Sequence, residues 1–254
     1  MRRLPWIAAI VLLFCTGCPS DGEKREQAPD AAPAEQAPSA AVQAEAPSTE
    51  PVRVEVWHDV VCPWCRVAVH NLDAALDQWK GRPVEVIYRP FLLSPNMPPE
   101  GRTAQEQFGP NLERIEASQN RVAAIGAQYG VRFDFGKIER IPPTVAAHAL
   151  IDWAPKEKKT EVVEALGRAH FEEGRFVGDP AVLAQIAASV GLDPEAARAA
   201  VTDPARLERI RAEAADAREA GVSSVPAIDV DGRRLQGAQS PEVIRAAIEE
   251  AAAK

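Results

Sequence analysis

The chain has 254 residues, of which 46% are hydrophobic and 26% charged, with a formal net charge of -8. Enough apolar residues are present to bury a core, so a wholly disordered chain is excluded, as are collagen and coiled-coil compositions. The acidic balance argues against a nucleic-acid binder, which needs Lys and Arg to displace counterions from phosphates, and four cysteines are too few for a disulfide-stapled scaffold.

Residues 1–17 place Arg2 and Arg3 before a short apolar run from Trp6 to Phe14. That is the layout of a secretory signal peptide, and the run is too short for an ordinary spanning helix. The segment ends in Cys15-Thr16-Gly17-Cys18, which resembles a bacterial lipobox, and Cys18 is the expected lipidated residue. A plain signal peptide cleaved nearby, or an uncleaved anchor, is the alternative. Residues 18–51 are dominated by Ala, Pro, Glu and Gln and lack large apolar side chains apart from Val42. Such a stretch buries too little surface to offset its ordering entropy and reads as a tether.

From residue 52 the pattern becomes that of a folded domain. Val52-Arg53-Val54-Glu55-Val56-Trp57 alternates as a strand does. Val67, Leu72, Leu76 and Trp79 recur at helical spacing, and Gly81-Arg82-Pro83 should end that helix. Val84 to Tyr88 is a second strand, so the opening is a parallel βαβ unit. Residues 103–217 show helical character, with breaks at Gly109-Pro110, Pro142-Pro143, Asp179-Pro180, Asp193-Pro194 and Asp203-Pro204. Val222 to Val230 is strand-like again, Asp231-Gly232 signals a tight hairpin, Arg234 to Gln236 returns, and Ser240-Pro241 opens a last helix. The two strand-bearing segments, about 52–102 and 218–253, must therefore meet in one sheet around a helical insertion.

Cys62-Pro63-Trp64-Cys65 joins a strand end to a helix start. Unpaired N–H groups and a partial positive charge at a helix N-terminus stabilise a thiolate. Cys62 is the expected attacking sulfur and Cys65, three residues on, the resolving one. Pro63 suits the first helical turn, where its missing N–H costs nothing. Haem attachment through CxxCH is excluded because Arg66 follows. A zinc or copper site lacks a second CxxC, and His58 and His70 do not stand at a familiar ligand spacing. A structural disulfide over so small a loop adds little chain entropy. No cofactor and no metal are expected. A second signature is Val225-Pro226, an X–Pro bond for which cis is accessible.

These stretches resemble the DsbA branch of thioredoxin-like oxidoreductases, in particular its FrnE-like group. The resemblance is carried by VWHDVVCPWCRVAV at 56–69, RPFLLSPNMPPEG at 89–101, AHFEEGRFVGDPAVLAQIAASVGLD at 169–193 and AREAGVSSVPAIDVDGRRLQGAQSPEVI at 217–244. It implies an α/β, thioredoxin-like fold over 52–253 with an inserted all-helical subdomain. It implies dithiol–disulfide exchange through Cys62 and Cys65, and a cis-Pro at Pro226. Pro63, Trp64 and Val225 are the implied substrate contacts. Partners would be unfolded or disulfide-containing secreted proteins and a redox donor or acceptor protein, met on the outer side of a bacterial membrane, with the outer membrane favoured because Pro19, not Asp, follows Cys18. The central Pro63-Trp64 pair lacks the His found in strong oxidants, so a less extreme Cys62 thiol is expected. Glu55 and Asp59 are candidates to shuttle the Cys65 proton. Glu55 reads equally as a solvated or ion-paired residue, Arg66 as a charge that could stabilise the thiolate or, more often, as a plain surface residue, and His148 and His170 as packing or surface residues. The competing function is a metal-binding or chaperone-like lipoprotein that uses the Cys pair and a helical groove.

Overall fold

The computed structural model describes residues 50–254. The expected signal peptide, the expected lipidation at Cys18 and nearly all of the expected tether lie outside the described residues.

Strand β1 (Val52–His58) turns Val52, Val54 and Val56 inward while Arg53 faces solvent, so the sequence alternation is a core face and a polar face. Helix α1 (Pro63–Asp77) crosses over to strand β2 (Val84–Pro90), which pairs with β1 in parallel from Val52↔Val84 to His58↔Pro90. The helix stops at Asp77, earlier than Gly81-Arg82-Pro83. Trp79 has left the helical path, and its indole N–H donates to the Arg82 carbonyl at 2.7 Å. Its apolar spacing is served by packing on the core from the loop.

A run of helices follows: α2 (Ala104–Phe108), α3 (Leu112–Gln128), α4 (Val145–Trp153), α5 (Lys159–Phe171), α6 (Pro180–Ser189), α7 (Pro194–Thr202) and α8 (Pro204–Glu219). The Asp-Pro breaks are their starts. Asp179, Asp193 and Asp203 each cap a helix, accepting a backbone N–H from Ala181, Ala196 and Ala205 at 2.7, 2.7 and 3.0 Å, and each is followed by Pro at the first helical position.

The chain then returns to the sheet. Strand β3 (Ala227–Val230) pairs antiparallel with β1, from Val54↔Val230 to Trp57↔Ala227, and strand β4 (Arg233–Gln236) pairs antiparallel with β3. The order is β2-β1-β3-β4. β3 is shorter than the strand-like run from Val222, because Pro226 has no N–H to give the ladder. The hairpin turns on Asp231 and Gly232, both at positive φ (44° and 87°), as a two-residue turn of this kind requires. Helix α9 (Pro241–Ala252) closes the chain and packs on α1, β1 and β3. One continuous apolar cluster joins Val54 and Ile228 of the sheet, Leu72 of α1, and Leu150, Leu166 and Leu183 of the helical run. This is an α/β, thioredoxin-like architecture.

Candidate active site

Cys62 ends the β1–α1 loop and is the N-cap of α1. Its backbone is extended (φ -90°, ψ 113°), and its Sγ accepts the Cys65 backbone N–H at 3.4 Å. No acidic side chain sits in the first turn of α1, so the positive end of that helix is not neutralised by its own residues. Both cysteines are free thiols. Cys62 is 6% exposed, whereas Cys65, one turn inward, is 1% exposed. Burial, with the neighbouring Cys62 sulfur, pushes the Cys65 thiol well above its usual pKa.

The second signature closes over the first. The Val225 carbonyl lies 4.0 Å from Cys62 Sγ across 163 residues of sequence, immediately before the cis Val225–Pro226 bond. Val225 leans on an apolar cluster of Trp57, Phe91, Ala217, Val222 and Ala227. Gln236 of β4 holds this loop: its side-chain N–H group reaches the Ser224 and Pro226 carbonyls at 3.1 and 3.3 Å, and the Gly237 N–H donates to the Pro226 carbonyl at 2.9 Å. Sequence reasoning missed Gln236, which carries no signal beyond its place in the returning strand. The helical groove of the competing reading takes shape as a cavity of about 370 Å³ that begins at Pro63 and Trp64 and is lined by Phe108, Ile115, Phe135 and Ile138.

The other candidates fall differently. Glu55 points along the polar sheet face and accepts from Arg89 at 2.6 Å and Arg53 at 2.8 Å, which is its ion-paired reading. Arg66 is a correction to the expected surface residue: it is 9% exposed and pairs with Glu172 at 2.5 Å, with its guanidinium 5.9 Å from the Phe133 ring centre. Position 66 begins the inward face of α1, and the Phe133 and Glu172 that cover it come from distant segments. His70 bonds the Tyr129 carbonyl at 2.8 Å. His148 and His170 are both buried, as packing residues. Asp59 is fully buried, and its Oδ2 accepts the Leu93 N–H at 2.7 Å. Among the described residues, no group of three or more His, Cys, Asp or Glu side chains is placed to hold a metal ion.

With a thiol pair at a helix start and a cis-Pro loop facing it, the comparisons with known proteins become informative. The model of the DSBA-like thioredoxin domain matches residues 53–249. The chain belongs to the DsbA-like thioredoxin family. Within 199 aligned residues it is 27% identical to the uncharacterised protein YwbO of Bacillus subtilis (strain 168), covering 78% of this chain and 96% of that one. Among solved structures, a probable DsbA oxidoreductase from Streptomyces coelicolor superposes with a TM-score of 0.69 at 29% identity, covering 79% of this chain and 89% of that one. The cytosolic disulfide reductase DsbM from Pseudomonas aeruginosa superposes at 0.59 and 22% identity, covering 78% and 97%, which is a likeness of fold. DsbA-like membership thus sets the fold and the enzyme class, a disulfide oxidoreductase.

Proposed function

We propose that this DsbA-like oxidoreductase exchanges disulfides with protein substrates through Cys62 and Cys65, Cys62 attacking and Cys65 resolving. The observation that carries the reading is the placement of Cys62 Sγ at the N-cap of α1, 4.0 Å from the carbonyl that precedes cis-Pro226. In the reducing direction, the Cys62 thiolate attacks a substrate disulfide and expels one substrate thiolate. The Cys65 thiolate then attacks Cys62 Sγ in the mixed disulfide, expels the second, and leaves Cys62 and Cys65 joined. Two electrons pass to the substrate. In the oxidising direction a substrate thiolate attacks the 62–65 disulfide and the same steps run backwards.

An extended substrate chain fits beside Val225 by strand addition, with Pro63 and Trp64 forming the wall between it and the groove. The basic start and apolar run of residues 2–14, the lipobox-like ending at Cys18 and the Ala/Pro/Glu-rich stretch after it support a FrnE-like domain outside the cytosol, anchored through Cys18 to the outer membrane and meeting secreted proteins and a redox donor or acceptor there.

The test is trapping by alkylation. Cys65→Ser should accumulate a mixed disulfide through Cys62, and Cys62→Ser should lose exchange altogether. Adducts that form equally well on Cys62→Ser would overturn the assignment. Equilibration of the pair against glutathione then fixes the direction of exchange.

A further inference from the structure

Arg218 stands at the rim of the thiol site. It lies in the last turn of α8, and its guanidinium carbon is 4.6 Å from the centre of the Phe91 ring. Its Nη2 donates to the Leu92 carbonyl at 3.0 Å. A ring beneath and a carbonyl at one nitrogen hold the planar fork in place, while the residue as a whole stays exposed. Among the described residues Arg218 makes no ion pair. Arg66, by contrast, is answered by Glu172, Arg89 by Glu55 and Glu213, and Arg234 by Asp229. Asp216 and Glu219 stand two positions and one position away on the same stretch of chain, spacings at which helical side chains do not face each other. The location gives this charge a use. Phe91 belongs to the apolar cluster on which Val225 leans, so Arg218 borders the cis-Pro loop. Leu92 leads into Leu93, a large apolar side chain that is 48% exposed and lines the groove with Pro63 and Trp64. Arg218 thus occupies the corner between the two surfaces that flank Cys62.

We infer that Arg218 is a specificity-determining residue, which favours substrate chains that carry an acidic side chain close to the cysteine attacked by Cys62. The inference rests on the thiol-exchange reading above and adds to it the chemistry of the preferred chain. An extended chain that lays its cysteine on Cys62 beside Val225 runs past the Arg218 corner. There a carboxylate meets a full positive charge and N–H donors that are already oriented, so little side-chain freedom is lost on pairing. Such a contact at the edge of an interface acts mainly on the rate of encounter and on the choice of partner. The net charge of -8 pushes acidic chains away from the molecule as a whole. A preference for acid must therefore come from a local cation, and Arg218 is the one placed to supply it.

The test is a peptide series. Each peptide has a single cysteine joined by a disulfide to a coloured aromatic thiol, with Glu, Gln or Lys at each nearby position in turn. The Cys62 thiolate of the reduced protein attacks the peptide sulfur, the Cys62–peptide S–S bond forms, and the aromatic thiolate leaves with the electron pair of the broken bond. At the most responsive position the Glu peptide should release colour about fivefold faster than the Gln peptide, with the Lys peptide slowest. The preference should shrink in concentrated salt, where exposed charges are screened within about 3 Å. Arg218→Gln should bring the Glu and Gln rates together, Arg218→Glu should put Lys ahead of Glu, and Arg218→Lys should keep part of the preference. A residue that only braced α8 would slow all three peptides alike and leave their ratios standing. Equal Glu and Gln rates at every position overturn the inference, and so does a Glu preference that survives Arg218→Gln. Where Arg218→Gln does not fold, Arg218→Met takes its place, since it keeps an apolar stem over Phe91: a lost preference supports the inference and a retained one overturns it. Absence of colour from every peptide is a different signature, in which the exchange reading itself fails and this inference with it.

Discussion

At Cys65 the sign of the pH response follows from burial. An unfolded cysteine titrates near 8.5, and in the fold burial and the Cys62 sulfur hold the thiol well above its usual value. The neutral thiol therefore contributes stability that is complete below about pH 8.5 and is lost as pH rises through the folded value. Denaturant midpoints of the reduced protein should fall from pH 8 to 10, and Cys65→Ala should flatten that fall. His170 has the opposite sense. Burial brings its pKa down to about 4, against a weaker upward pull from the Arg175 backbone. Its neutral ring contributes about 3 kcal/mol, complete above the unfolded value near 6.5 and lost as pH falls through 4. His170→Leu should remove that share of the acid sensitivity between pH 6.5 and 4, read as the difference between the two unfolding profiles.

Single elements carry their own accounts. Asp203 ends α7 and caps α8, accepting the Ala205 N–H. Asp203→Ala should destabilise the protein by about 1 kcal/mol, the ordinary cost of a lost cap, measured as a shift in denaturant midpoint at unchanged slope. Between α1 and α5 the close approach is made at Gly167, where an added Cβ would collide with the Arg66 guanidinium. Gly167→Ala should displace the Arg66 guanidinium from Glu172, and the lost pairing should offset the roughly 1 kcal/mol that Ala gains over Gly in a helix interior, so that the variant is no more stable than the unaltered protein in a denaturant titration. Arg66→Met, which removes the charge but keeps much of the stem, should cost less than Arg66→Ala, because the stem packs against buried surface.

For the whole molecule, the sheet and the helical run share one core. Val54, Leu72 and Ile228 lie in the same cluster as Leu150, Leu166 and Leu183, and α1 packs on both α9 and α5. Heating should therefore give a single cooperative transition, with the aromatic near-ultraviolet signal and the helical far-ultraviolet signal superimposed. A separate early loss of helix would show that the run from α2 to α8 opens independently. The β1–β3 pairing closes a loop of well over a hundred residues, a long-range contact of the kind that slows folding.

Several features could be read directly from neighbouring residues. The Val-X-Val-X-Val alternation of β1, the Asp-Pro helix starts, the Asp231-Gly232 turn and the placing of Cys62 at a helix tip all depend on short-range backbone chemistry, which the local sequence carries in full. The sequence could not say where α1 would stop, because Trp79 keeps helical spacing while packing from a loop. Nor could it bury Arg66, whose partner Glu172 lies 106 residues away. The same holds for the site: sequence gave Asp59 as one of two carboxylates beside a CxxC, and the fold alone separated them. Chain reversal through β3 brings Val225 onto Cys62, and the helical run brings His148 onto Asp59. Those juxtapositions depend on how apolar faces from distant segments pack together, and no local pattern encodes that distance.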